Sequence, residues 1–184
     1  MAAMLDLHVS LRSVLPRPWR RFLRADGTFA DLHQAIQDAC GWWDYHLYVF
    51  KASPDDELAI AGRRLEDGDD DLSGAPVPDA ARVRLRRIFP DRATTCVYLY
   101  DSGDGWELDV LLLDLIPRGE RGVRRRLVGG EHAWPPEDCG GPWGYAETLA
   151  ALAGEGDAER AAWIRGRDWS PTFDLESLRE RFDR

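Results

Sequence analysis

Lysine is almost missing from this chain. Lys51 is the only one among 24 basic residues, so the positive charge is arginine. That skew accompanies an abundance of Ala, Gly and Asp that suits GC-rich coding, and no mechanism is read from arginine preference alone. Cysteine is also scarce. Cys40, Cys96 and Cys139 make an odd set with no CxxC pair, which excludes a disulfide framework. The four histidines, His8, His33, His46 and His132, are scattered as well. A structural zinc site draws its ligands from close pairs, so spacing argues against one, and no metal ligand is assigned.

Long apolar runs are lacking. A run such as Val110–Leu113 falls far short of the roughly 20 residues that span a bilayer. MAAMLDLHVSLRSVLP has no charged stretch followed by an apolar one, so no signal peptide is expected and the cytoplasm is the default compartment. A basic surplus is missing too. The formal net charge is −9, which argues against a protein that wraps duplex DNA. GxxxxGK[ST], GxGxxG after a strand and GxSxG are all absent, which leaves no catalytic residues and no cofactor to assign.

What is present is enough for one domain with a real core: 184 residues, 44% apolar, with eight tryptophans. Leu5, Leu7, Val9 and Leu11 alternate with polar residues and predict a half-buried strand. Trp19 to Leu23 forms a second. Thr28 and Asp31 make a capping-box pattern that opens a helix running to about Cys40, and Gly41 is placed to end it. A strand is expected from about His46 to Phe50. Residues 52–80 are crowded with acids and read as a solvated loop, with a short strand near Leu58–Ile60. Val83, Leu85 and Ile88 suggest a short element. Thr94–Tyr100 and Trp106–Leu113 flank Asp101-Ser102-Gly103-Asp104-Gly105, which is a hairpin pattern. Residues 117–126 are arginine-rich, and 129–145 read as a Gly/Pro/Trp loop. Helical spacing then covers about 145–153, 158–165 and Leu175–Phe182. Strands first and helices last predict an α+β fold. The expected form is one domain over 1–184, with a mixed or mostly antiparallel sheet.

Four segments appear in a distinctive order: PRPWRR (16–21), FADLHQAIQDACGWWDYHLYVF (29–50), YLYDSGDGWELDV (98–110) and WPPEDCGGPWGYAETL (134–149). Together they resemble the plasmid pRiA4b ORF-3-like family over residues 5–182. The resemblance implies an α+β fold with helices packed on the sheet. It implies no established activity. Some members carry resolvase labels tied to insertion elements, but no recombinase serine domain or helix-turn-helix is found here. The chain departs from the family pattern at Ser102, where a Phe is usual, and at Leu108, where a His is usual. Leu127 stands where a cysteine often precedes the Pro-Pro-Glu-Asp motif.

Three functional readings stay open. The first is a non-enzymatic binding module with an unknown partner. Its recognition surface would come from the 101–106 turn and the 134–145 loop, with Asp101, Asp104, Trp106, Trp134, Glu137, Asp138, Trp143 and Tyr145 as candidates. Stiff prolines, permissive glycines and aromatics suit such a loop, though they equally suit a lid over one end of the sheet, with Glu137 or Asp138 pinning it to backbone amides. The second is nucleic-acid contact through arginine clusters: Arg17, Arg20, Arg21 and Arg24, then Arg118, Arg121, Arg124, Arg125 and Arg126. Solvated or acid-paired arginines are the plainer account. The third is a metal-dependent hydrolase, which requires Asp101, Asp104, Glu137 and Asp138 to converge. Turn geometry explains the hairpin acids without chemistry.

Overall fold

In the computed structural model, residues 3–63, 77–117 and 123–183 are described. Seven strands form one sheet: β1 (Ala3–Leu11), β2 (Trp19–Ala25), β3 (Tyr48–Lys51), β4 (Ala59–Gly62), β5 (Thr95–Tyr100), β6 (Trp106–Pro117) and β7 (Arg125–Glu131). Their order is β4-β3-β5-β6-β1-β2-β7, and every neighbouring pair runs antiparallel. The described residues also form five helices, giving an α+β fold: α1 (Phe29–Cys40), α2 (Leu85–Ile88), α3 (Gly141–Leu152), α4 (Ala158–Arg165) and α5 (Leu175–Phe182). The heart of the expected acidic loop, residues 64–76, lies outside the described residues, as do Arg118 and Arg121.

Local chemistry sets α1. The Thr28 hydroxyl accepts from Asp31 N–H, and the Asp31 carboxylate accepts from Thr28 N–H, so two otherwise orphaned donors are satisfied. Gly41 ends the helix in the left-handed conformation at φ 81°. The helix buries Phe29, Leu32, Ala35, Ile36 and Ala39 against the inward faces of β1, β3, β5 and β6. Each fully buried large apolar side chain contributes roughly 1.5–3 kcal/mol, so a charge at Ile36, which is 0% exposed, would break this layer.

β1 is buried on both faces rather than one. It is a central strand, and on its polar face Asp6 is only 2% exposed beneath Arg21, which reaches both carboxylate oxygens. Alternation in sequence marks which face is apolar, while the covering arginine comes from the neighbouring strand.

Several boundaries differ from the sequence reading: β6 runs on to Pro117 rather than ending at Leu113, β3 starts at Tyr48 rather than His46, and β7 and α3 differ more. β7 replaces what reads as the end of an arginine-rich run and the start of a loop. Gly129 and Gly130 weaken strand propensity, yet a Cβ at Gly130 would lie 2.8 Å from Arg20 Cδ and 2.9 Å from Phe173 Cζ, so glycine is needed to admit both. α3 begins at Gly141, earlier than Tyr145, because Pro142 suits the first helical turn.

Candidate functional site

The site grows from the stretch between α1 and β3. After Gly41 the chain is irregular, with Asp44 in the left-handed conformation at φ 58° and a bend at His46, and exposure alternates along it. Trp42, Asp44 and His46 turn inward, while Trp43 (60% exposed), Tyr45 (69%) and Leu47 (46%) face solvent. This stretch is held firmly. The Trp43 N–H donates to Glu137 Oε2 at 2.9 Å, the Tyr45 N–H donates to the Tyr100 hydroxyl at 3.2 Å, and the Leu47 carbonyl accepts from Asp101 N–H at 3.0 Å. Inside, the Trp42 ring stacks on Tyr100 at 4.7 Å and its Nε1–H donates to the Pro135 carbonyl at 2.9 Å.

Glu137 is the hub of this arrangement. It is 5% exposed, and its second oxygen accepts from the Tyr100 hydroxyl. Burial, followed by this carboxylate, pushes the Tyr100 hydroxyl well above the usual tyrosine range. The Glu137 carbonyl accepts from Arg167 at 3.2 Å. Both carboxylate oxygens therefore serve the fold.

The hairpin turn meets the Gly-Gly bend. Asp104 Oδ2 accepts from Gly140 N–H at 3.3 Å. Gly141 has φ 67°, and a Cβ there would sit 2.3 Å from the Asp104 carbonyl, so glycine permits the contact. Asp101 is 8% exposed, and its Oδ1 accepts from the N–H groups of Gly103 and Asp104. Its Oδ2 faces His46 Nε2 at 3.4 Å. Asp138 Oδ1 stands 3.0 Å from the same nitrogen.

The two motif loops thus come together, but the candidate residues divide. Asp101, Asp104 and Asp138 lie at the junction. Trp106 (1% exposed), Trp134 (3%) and Tyr145 (4%) are core residues, like Glu137, and have no face to offer a partner. Trp106 and Trp134 flank Trp42, and the Tyr145 hydroxyl donates to the Ala133 carbonyl at 3.3 Å. The open end of the sheet must be covered by apolar surface, and these rings do it. Trp143 is exposed, and its Nε1–H donates to Glu147 of its own helix at 3.0 Å. The four acids of the hydrolase reading do not converge as a set, since Glu137 is bound to Trp43 and Tyr100.

The arginine clusters are largely occupied. Arg20 is 1% exposed and donates to the carbonyls of Trp19, Ala39, Glu131 and His132. Its guanidinium lies 4.2 Å from the centre of the Phe173 ring, and burial lowers its pKa to about 10. Arg21 pairs with Asp6, Arg24 with Asp31 and Arg125 with Asp38. Arg124 and Arg126 remain exposed.

Sequence reasoning missed Trp43, Tyr45, Leu47 and His46. The signal was there as alternation over 42–47, but it runs backwards: polar Asp44 and His46 point in while apolar neighbours point out.

No described helix is long and apolar enough to cross a membrane. Among known proteins, the uncharacterized protein y4hQ of Sinorhizobium fredii (strain NBRC 101917 / NGR234) is 33% identical over 185 residues, covering 99% of this chain and 88% of that protein. The crystal structure of MM3350, a protein of unknown function from Methanosarcina mazei Go1, superposes with a TM-score of 0.78 at 32% identity, covering 96% of each chain. The family model for plasmid pRiA4b ORF-3-like protein matches residues 3–180, a span that takes in the pinned 42–47 stretch, the hairpin turn and the Pro-Pro loop alike. This chain belongs to the plasmid pRiA4b ORF-3-like family.

Proposed function

We propose that this protein is a non-enzymatic recognition module whose binding face is the ridge of Trp43, Tyr45 and Leu47. The ridge is bordered by the hairpin turn and by Asp138. One observation carries the reading: three large apolar side chains stand exposed on a backbone that hydrogen bonds to Glu137, Tyr100 and Asp101 already hold in place. Singly exposed apolar residues need no explanation, but three in a row on an ordered ridge do. Pre-ordering lowers the entropy lost when a partner covers the ridge, and aromatic anchors dominate interface energies. The matching partner is a protein surface with an apolar pocket and a basic rim, given the chain's net charge of −9 and the acids beside the ridge.

The nucleic-acid reading has less behind it, because Arg20, Arg21, Arg24 and Arg125 already have internal partners. The test compares full-length protein with a Trp43→Ser/Tyr45→Ser variant as bait in the same lysate. The expected result is a partner retained by the wild type, released by salt and lost from the double variant. Identical retention by both would remove the ridge from recognition. A Trp143→Ala variant, altered on α3, separates a contribution of that helix.

A further inference from the structure

His46, Asp101 and Asp138 reach one point from three separate segments: the stretch before β3, the hairpin turn and the Pro-Pro loop. One ligand atom from each lies within 4.8 Å of the other two. An imidazole carries at most one hydrogen on Nε2, so it can bond well to only one carboxylate at a time. Here the bond is to Asp138. Asp101 Oδ2 is left without a hydrogen bond among the described residues, on a side chain that is only 10% exposed. Its partner oxygen is held by two backbone N–H groups, which fixes the direction in which Oδ2 points. A carboxylate oxygen without a hydrogen bond, on a largely buried side chain and facing a ring nitrogen beside a second carboxylate, is a place that favours a cation.

Both spacings from the imidazole fit one. With metal–ligand distances of about 2.0–2.2 Å, neighbouring donors in a tetrahedral or octahedral shell stand roughly 2.9–3.5 Å apart. The separations from His46 Nε2 are 3.0 Å to Asp138 and 3.4 Å to Asp101. The Asp138 side chain is 49% exposed, which gives an ion a way in and leaves room for water in the shell.

We propose that His46, Asp101 and Asp138 form a binding site for a divalent transition-metal ion. One imidazole with two carboxylates suits first-row ions such as Zn²⁺ better than Mg²⁺ or Ca²⁺, which prefer an all-oxygen shell. The site stands apart from the recognition reading, because metal can bind whether or not the apolar ridge meets a partner.

Calorimetric titration of Zn²⁺ into chelator-stripped full-length protein tests it. One saturable site is expected, weakened at least about tenfold by Asp138→Asn and by His46→Gln, since loss of even a supporting group costs that much at metal sites. His132→Gln, at another partly exposed histidine, leaves it unchanged. No saturable heat, or binding that survives both substitutions, overturns the proposal. A second measurement needs no variant and covers the case of a misfolded one. Paramagnetic Co²⁺ added to the wild type is expected to broaden NMR signals of residues 46, 101 and 138 first, and broadening centred elsewhere refutes the assignment.

Discussion

Replacing Glu137 tests whether the fold or a ligand uses this acid. In Glu137→Ala, the Trp43 N–H and the Tyr100 hydroxyl both lose their acceptor inside the protein. A hydrogen bond to a charged group contributes roughly 1.5–3 kcal/mol, so two give about 3–6 kcal/mol. Water entering the vacated space recovers part of that, and the expected loss is about 3–4 kcal/mol. Against a typical total of roughly 5–15 kcal/mol the variant still folds, with a midpoint lowered by about 6–15 °C. Glu137→Gln keeps an acceptor for Trp43 and loses about half as much. Urea unfolding with linear extrapolation supplies the values. A double-mutant cycle with Tyr100→Phe isolates the pair, with an expected coupling of at least about 1 kcal/mol. Hydrogen exchange at Trp43 and Tyr45 speeds up in the Ala variant, because their anchor is gone. A loss below about 1 kcal/mol for Glu137→Ala, or strict additivity with Tyr100→Phe, would refute the claim that this carboxylate pins the loop.

His33 is stacked face to face on Tyr48 at 3.6 Å and contacts the Tyr98 hydroxyl and Asp44, and burial lowers its pKa despite the acid. The unfolded chain takes up this proton near pH 6.5 and the folded one only lower, so stability is present above about pH 6.5 and is lost as pH falls. The urea midpoint is expected to drop between about pH 7 and 5, and less steeply in His33→Gln; an unchanged slope in that variant contradicts the assignment. All three thiols are buried, and burial pushes Cys139 up to about 12. Ellman's reagent at about pH 8 should label no cysteine in the native protein and all three in urea, since the thiolate is the reactive form. A thiol that reacts faster than the protein unfolds would show a cysteine more open than the structure has it.

Interactions between near neighbours were readable from the residues alone. Thr28 and Asp31 are three apart, Gly41 adjoins the helix it ends, and the Asp/Gly turn adjoins both strands it joins, so α1 and the β5–β6 hairpin followed from composition and spacing. The C-terminal helices followed from their periodicity in the same way. Other features depended on partners far along the chain. β7 is a strand despite two glycines, and one of them, Gly130, leaves the room that Arg20 and Phe173 fill. Trp106, Trp134 and Tyr145 read as candidates for a recognition surface and are core, since only the assembled sheet has an end to cover. Trp43 and Tyr45 carried no assignment from sequence and face water. His46 and Asp138 stand 92 positions apart and meet across one hydrogen bond. Local conformational preference is written in neighbouring residues, whereas burial and charge pairing belong to surfaces that exist only after the sheet has closed against α1.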